Sequence, residues 1–218
     1  MRGAVTLAWW AALGVWLVAS PAAAQSREPL GGVVADLRLV STTLPTGVGW
    51  TPPAPSADSL VPSRGLGVEA GVHVMLGRGQ FRRLALGATA LLAEGRATGT
   101  GTGTGAATGV DAPTVATRMT AVAPHVAMNF GHRNGWSYLS IGVGAASVRS
   151  TVMDTPADAT DWGTVFHYGG GARWFLQEHV AVSLDLRFWA LTPRPAMPGR
   201  VAGAATTRVA LGAGLSFR

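Results

Sequence analysis

The chain has 218 residues, enough for one domain or at most two small ones with a closed core. Only 13% of them are charged and 48% are hydrophobic, which excludes a disordered chain, and the absence of cysteine excludes disulfides, thiolate metal sites and cysteine catalysis. The net charge is +6 and all 17 basic residues are arginine, yet no three are adjacent, so the clustered basic face of a nucleic-acid binder is missing.

The first 24 residues form a unit of their own. Arg2 supplies a short basic start, Ala4 to Ala19 runs without a charge, and Ser20-Pro21 leads into Ala22-Ala23-Ala24, a small-residue cleavage site. This predicts a signal peptide over 1–24, cut before Gln25, with residues 25–218 as one domain. Every later apolar run is broken by glycine or a charge within about ten residues, so a spanning helix is not expected there. A chain that crosses a membrane without such a helix must cross as a closed barrel, because every backbone group has to be paired internally.

Taken in order, the mature chain shows period-two stretches. The first, Gly31 to Thr43, carries Asp36 and Arg38 on its polar face. The second sets Leu66, Val68, Ala70, Val72, Val74 and Leu76 against Gly67, Glu69, Gly71, His73 and Met75. The third sets Leu84, Leu86, Ala88 and Leu92 against Arg83, Ala85, Gly87 and Thr89; the fourth, Thr114 to Phe130, is the least regular because it contains Pro124. In the fifth, Leu139, Ile141 and Val143 oppose Tyr138, Ser140 and Gly142. The seventh sets Val180, Val182, Leu184 and Leu186 against Ser183, Asp185 and Arg187, and the eighth sets Val209, Leu211 and Leu215 against Arg208, Ala210 and Gly212. One face is aliphatic and uncharged throughout; the other mixes glycine, alanine and a few ions.

The connections alternate in length. Long ones run over Leu44–Arg64, Glu94–Pro113 (with the Gly99–Gly105 glycine-threonine tract), Ser150–Gly163 (with Asp154, Asp158 and Asp161) and Thr192–Gly203. Short ones are Gly77–Gln80, Gly131–Gly135 and Gln177–His179. Four long and three short connections join eight strands into an antiparallel up-and-down meander with both termini at the short-turn end. That fits an all-β, eight-stranded transmembrane β-barrel of the bacterial outer membrane, aliphatic face to lipid and small or ionic face to a narrow lumen. A soluble barrel would reverse the faces, and its outer face would be dense in charge rather than in glycine and alanine. Phe81, Phe130, Trp136, Trp174 and Phe217 at the short-turn ends, with Phe166 and Phe188 near the long-loop ends, are expected to form two interfacial girdles.

The run Tyr168-Gly169-Gly170-Gly171-Ala172-Arg173-Trp174-Phe175-Leu176, a tight turn, and Val180 to Trp189 with Asp185 and Arg187 resemble the small outer-membrane β-barrel domain proteins, the OmpA- and OmpX-like eight-stranded barrels. The ending Gly212-x-x-Leu215-x-Phe217 resembles the terminal-strand signal read by the barrel-assembly machinery, although Ala210 stands where a polar residue is usual and Arg218 follows the aromatic one. The resemblance implies outer-membrane lipid and lipopolysaccharide as surroundings and the assembly machinery as a partner during insertion. No wall-binding domain is implied.

No chemistry-bearing motif stands out. None of the five histidines (His73, His125, His132, His167, His179) is followed two residues later by serine, the His-x-Ser arrangement of barrel-type lipid A deacylases. His167 lies near the loop side with Ser147, Ser150 and Asp154, a set from which a Ser-His-Asp site could be assembled. The aspartates 154, 158 and 161 do not follow the EF-hand spacing, and the glycine-threonine tract lacks the lysine and the strand–helix context of a phosphate loop, so neither metal nor cofactor is expected. The expected function is a non-enzymatic barrel whose lumen is filled by side chains and whose long loops meet the environment or an extracellular partner. A small selective channel, a lipid-modifying enzyme and a soluble periplasmic binding protein remain open as alternatives. By parity Asp36, Arg38, Glu69, Asp185, Arg187 and Arg208 point inward, with His73 and Arg83 below them. Mutual pairing of these ions is expected to close the pore and lock the first strand to the last.

Overall fold

The computed structural model describes residues 32–46, 50, 61–76, 82–98, 114–132, 134–152, 162–196 and 201–218. The leader, Phe81, the glycine-threonine tract and Asp154, Asp158 and Asp161 lie outside the described residues. Eight strands follow in order: β1 (Val33–Thr43), β2 (Arg64–Leu76), β3 (Arg82–Thr98), β4 (Thr114–His132), β5 (Gly135–Val152), β6 (Trp162–Phe175), β7 (Val180–Leu191) and β8 (Thr206–Phe217). Each pairs antiparallel with the next, and β1 pairs with β8 from Ala35↔Phe217 to Thr42↔Ala210, so the sheet closes into a barrel without a free edge.

Several strand ends differ from the sequence expectation, among them those of β3 and β5. The strand β3 continues past Glu94 to Thr98, and β5 past Ser150 to Val152. The apolar alternation stops before the ladder does, because pairing needs only backbone groups: Thr98 still faces Thr114. Pro124 does not break β4. Its ladder to β5 pauses between Val122↔Ala145 and His125↔Gly142 and resumes in the same register, as expected where an N–H is missing.

The alternation reads directly as inside and outside. Leu39, Leu66, Leu139, Ile141 and Leu211 are all more than 60% exposed, and the belt they belong to runs round the whole barrel. An apolar surface of that extent is incompatible with water and natural to a bilayer. Outward aromatics flank it: Trp162 and Phe166, with Tyr168 stacked on Phe188 at 5.1 Å, on the long-loop side, and Trp174 and Phe217 at the short-turn side. Trp136 is a correction to the expected girdle. It turns inward, is 3% exposed, and packs against Phe175 at 4.9 Å.

The sealed lumen as candidate functional site

The inward faces of β1, β2, β6 and β7 bring six ions together at mid-depth. Asp36 on β1 is the hub. Arg173 on β6 reaches across the lumen and holds it with two parallel bonds, Nε to Oδ1 at 2.9 Å and Nη2 to Oδ2 at 2.6 Å. Arg38 Nη2 touches Oδ1 at 2.8 Å, His73 Nε2 lies 3.4 Å from Oδ2, and Ser216 on β8 donates its hydroxyl to Oδ1. A second centre forms around Asp185 on β7, which accepts from Arg187 Nε and Nη2, each at 3.2 Å, and from the Tyr138 hydroxyl. Glu69 joins the two. Its Oε1 accepts from Arg38 Nη1 at 3.0 Å and its Oε2 lies 3.6 Å from Arg187 Nε.

All six are nearly inaccessible, from Arg173 at 0% to Asp36 and Asp185 at 4%. Three carboxylates against three guanidiniums leave no net formal charge, which a narrow dehydrated lumen demands. The planar arginine fork suits the bidentate grip on Asp36. Tyr138 sits between the two centres, with the Arg173 guanidinium 4.1 Å from its ring centroid.

Apolar layers close both sides of this cluster. Below it, Val34, Met75, Ala85, Ala127 and Trp136 pack together at the short-turn end. Above it, Leu44, Trp50, Leu91, Met119, Val165 and Trp189 belong to a larger cluster. Residues of the connections fold into that upper layer. Trp50 donates Nε1–H to the Ala204 carbonyl at 2.9 Å, Arg194 lays its guanidinium 4.5 Å from the Trp50 ring, and an antiparallel bridge joins Arg194 to Gly203.

A closed eight-stranded meander with a lipid-facing belt and a packed polar lumen is an outer-membrane architecture. The family model described as outer membrane protein beta-barrel domain matches residues 10–217. The chain belongs to that family. Among solved structures, the attachment invasion locus protein Ail of Yersinia pestis, in complex with the heparin analogue sucrose octasulfate, is 10% identical. It aligns with a TM-score of 0.51 over 86% of this chain and 100% of its own. Neisserial surface protein A is likewise 10% identical, with a TM-score of 0.49 over 86% of this chain and 97% of its own. Identities this low establish the fold alone. No curated protein matches the chain in sequence.

Five of the six expected lumen ions assemble in this family member: Asp36, Arg38, Glu69, Asp185 and Arg187. Arg208 does not. It faces inward but stands at the long-loop rim, bonding the Leu44 carbonyl at 3.0 Å and the Thr206 hydroxyl. Parity fixes the face of a strand but not its height, and Arg208 pairs with Trp189 near the top of β7. The third guanidinium is Arg173, which the sequence reading left unsorted. It shares the parity of His167, and counting by two along β6 would have found it; the run Gly169–Gly171 hid the alternation. Strand β1 is joined to β8 not by the expected ion pair with Arg208 but by the Ser216 hydroxyl donating to Asp36, and to β7 by Arg38 Nε donating to Ser183 Oγ at 3.3 Å.

Three of the five histidines, His73, His125 and His167, pack in one row. One register row climbs the wall from His73 through Gly87, His125, Gly142 and His167 to Trp189, so rings alternate with glycines until the last step. Successive rings lie 4.8, 5.4 and 5.1 Å apart. The glycines make that spacing possible, since a Cβ on Gly142 would fall 2.6 Å from His167 Nε2 and one on Gly87 2.5 Å from His125 Nε2. His167 therefore meets His125 and Trp189, while Ser147 is on the opposite face and Ser150 Oγ is bonded to Thr117. Asp154 lies outside the described residues.

Proposed function

We propose that the protein is a sealed, non-enzymatic outer-membrane barrel whose work is done on its outside. The observation that supports this reading is the lumen, where a charge-balanced ionic cluster lies between two apolar layers. A lumen filled in this way argues against the channel alternative, and the six ions of its cluster pair with one another rather than point at a substrate. The long connections face the exterior, as in other barrels of this architecture, and meet lipopolysaccharide and an extracellular partner there. The terminal strand is read by the assembly machinery during insertion, after the leader has been removed behind Ala24.

The test is current recording in planar bilayers together with mass analysis of lipid A and phospholipid from cells expressing the protein. We expect no current steps and an unchanged lipid profile. Steady conductance would replace this reading with a channel, and a modified lipid would replace it with an enzyme. An epitope inserted near Gly103 should be detected on intact cells; detection only after permeabilisation would reverse the orientation.

A further inference from the structure

The lipid-facing belt is dented on one side of the barrel. Along β6 the outward positions run Tyr168, Gly170, Ala172 and Trp174, so one methyl group is all that stands between the two large rings. The neighbouring strands carry leucine there: Leu139 of β5 and Leu186 of β7 flank Gly170, and Leu184 flanks Ala172. The result is an open groove of about 750 Å³ in the outer wall. Gly170 and Ala172 form its floor and the leucines its sides. Trp174 stands at its lower end, and the stack of Tyr168 on Phe188 lies across its upper end.

The dent is built into the backbone. A Cβ on Gly170 would fall 2.4 Å from the Tyr138 carbonyl oxygen and 2.9 Å from Leu139 Cδ2, so a side chain there would have to displace the strand beside it. The ladder of Gly169–Gly171 to β5 and β7 is unbroken, so the backbone that the glycines uncover is paired within the sheet and the floor is apolar.

Length and position decide what fills the groove. The six residues from Tyr168 to Trp174 span about 20 Å along an extended strand. At a barrel tilt of roughly 40° that is about 15 Å along the membrane normal, half of a hydrocarbon core about 30 Å thick. The groove therefore has the depth of one leaflet, and it begins at the short-turn girdle where Trp174 sits. A two-fold dimer does not fill it. Two copies in one membrane share an orientation, so their axis lies along the normal and each residue meets the partner at its own height. The protruding Tyr168–Phe188 stack stands above the groove rather than level with it. A hydrocarbon chain running along the normal does fit, and it restores the dispersion contacts that the missing side chains leave open.

We propose that this groove seats one acyl chain of a phospholipid from the leaflet on the short-turn side, with the chain end beneath the Tyr168–Phe188 stack. The indole of Trp174 and the exposed Ser137, which pairs with Ala172, stand at the headgroup end. The inference rests on the outer-membrane reading with the long loops outside, which makes this the inner leaflet, and it gives the lipid surroundings one defined contact.

Native mass spectrometry of the protein in mild detergent, titrated with dipalmitoyl phosphatidylethanolamine, tests this. Wild type is expected to retain one phospholipid per barrel. Ala172→Phe, which fills the groove from a position that already carries a Cβ, should bind it at least tenfold more weakly. Ala172→Leu should fall between the two and serves in its place if the phenylalanine variant does not fold, which heat-modifiability on a gel checks. Ala90→Phe, on the outward face of β3 away from the groove, should bind as wild type does. Equal retention by wild type and the folded Ala172 variants, an equal loss in Ala90→Phe, tighter binding of lipid A than of the phospholipid, or a lipid-free dimer as the main species would each overturn the site. The conductance and lipid-profile measurements above read none of these outcomes, so the two proposals fail separately.

Discussion

The lumen and the outer rim of this barrel are built from the same parts, arginine and carboxylate on neighbouring strands, and they are balanced differently. In the six-ion cluster of the lumen three of each sign cancel, each of the six is at most 4% exposed, and Asp36 alone receives contacts from β1, β2, β6 and β8. At the outer rim Arg96 and Arg118 share Glu94, with their side chains 74% and 57% exposed. Burial enforces neutrality because an unmatched ion in a low-dielectric interior is costly by several kcal/mol. Exposure removes that constraint, because water solvates each ion singly.

The comparison breaks most visibly if its most connected ion is removed. Asp36→Ala leaves Arg38 and Arg173 without their shared carboxylate while Glu69 and Asp185 remain, so the lumen acquires a buried net charge of one. We expect a loss of about 3–5 kcal/mol, the range for breaking a buried pair, measured by unfolding in detergent or bilayer. Because water and salt ions are excluded, the loss should be nearly the same in 0.1 M and 1 M salt. A loss below about 1 kcal/mol would mean that these ions are solvated singly and that the apolar layers alone seal the pore.

A smaller effect should follow from crowding the histidine row. In Gly142→Val the new Cβ falls 2.2 Å from the Pro124 carbonyl oxygen and 2.6 Å from His167 Nε2, and two methyls are added beyond it. Overpacking of this kind costs about 1–3 kcal/mol. Adding His167→Ala should recover part of that loss, because the ring gives way although the carbonyl does not. Full additivity of the two changes would show that the row is not a packed unit.

Much of this was legible in the sequence, and the reason is the period of two. Strand number, closure and face follow from alternation and from the lengths of the connections, and five of the six lumen ions follow from parity alone. What parity lacks is height. Arg208 and Ser216 share a face of β8, but they lie eight residues apart, about 26 Å along an extended strand, and the one that meets Asp36 is Ser216. Trp136 shows the converse: its parity with Tyr138 already placed it inside, and its position near a turn suggested a girdle that the fold does not make. Arg173 was obscured because three consecutive glycines carry no alternation to count. The bidentate grip across the lumen depends on strand tilt and register, which no local pattern encodes.

The smallest expected effect sharpens the comparison from the other side. Arg96 ion-pairs with Glu94 at 2.9 Å, a shorter separation than several contacts in the lumen, yet its side chain is 74% exposed. Distance alone would rank this pair with the buried ones; solvent exposure says otherwise. Exposed pairs contribute about 0.2–1 kcal/mol, because water competes for both groups and two long side chains must be held in place. Arg96→Gln should therefore shift stability by less than about 1 kcal/mol, and the shift should shrink further in 1 M salt, where the screening length is only about 3 Å. Arg118 Nε also lies 3.6 Å from Glu94, so the carboxylate keeps a partner when Arg96 is removed and the change stays within that narrow band. A loss comparable to that of Asp36→Ala would show that exposure does not weaken this pair and that the rim is a structural clasp.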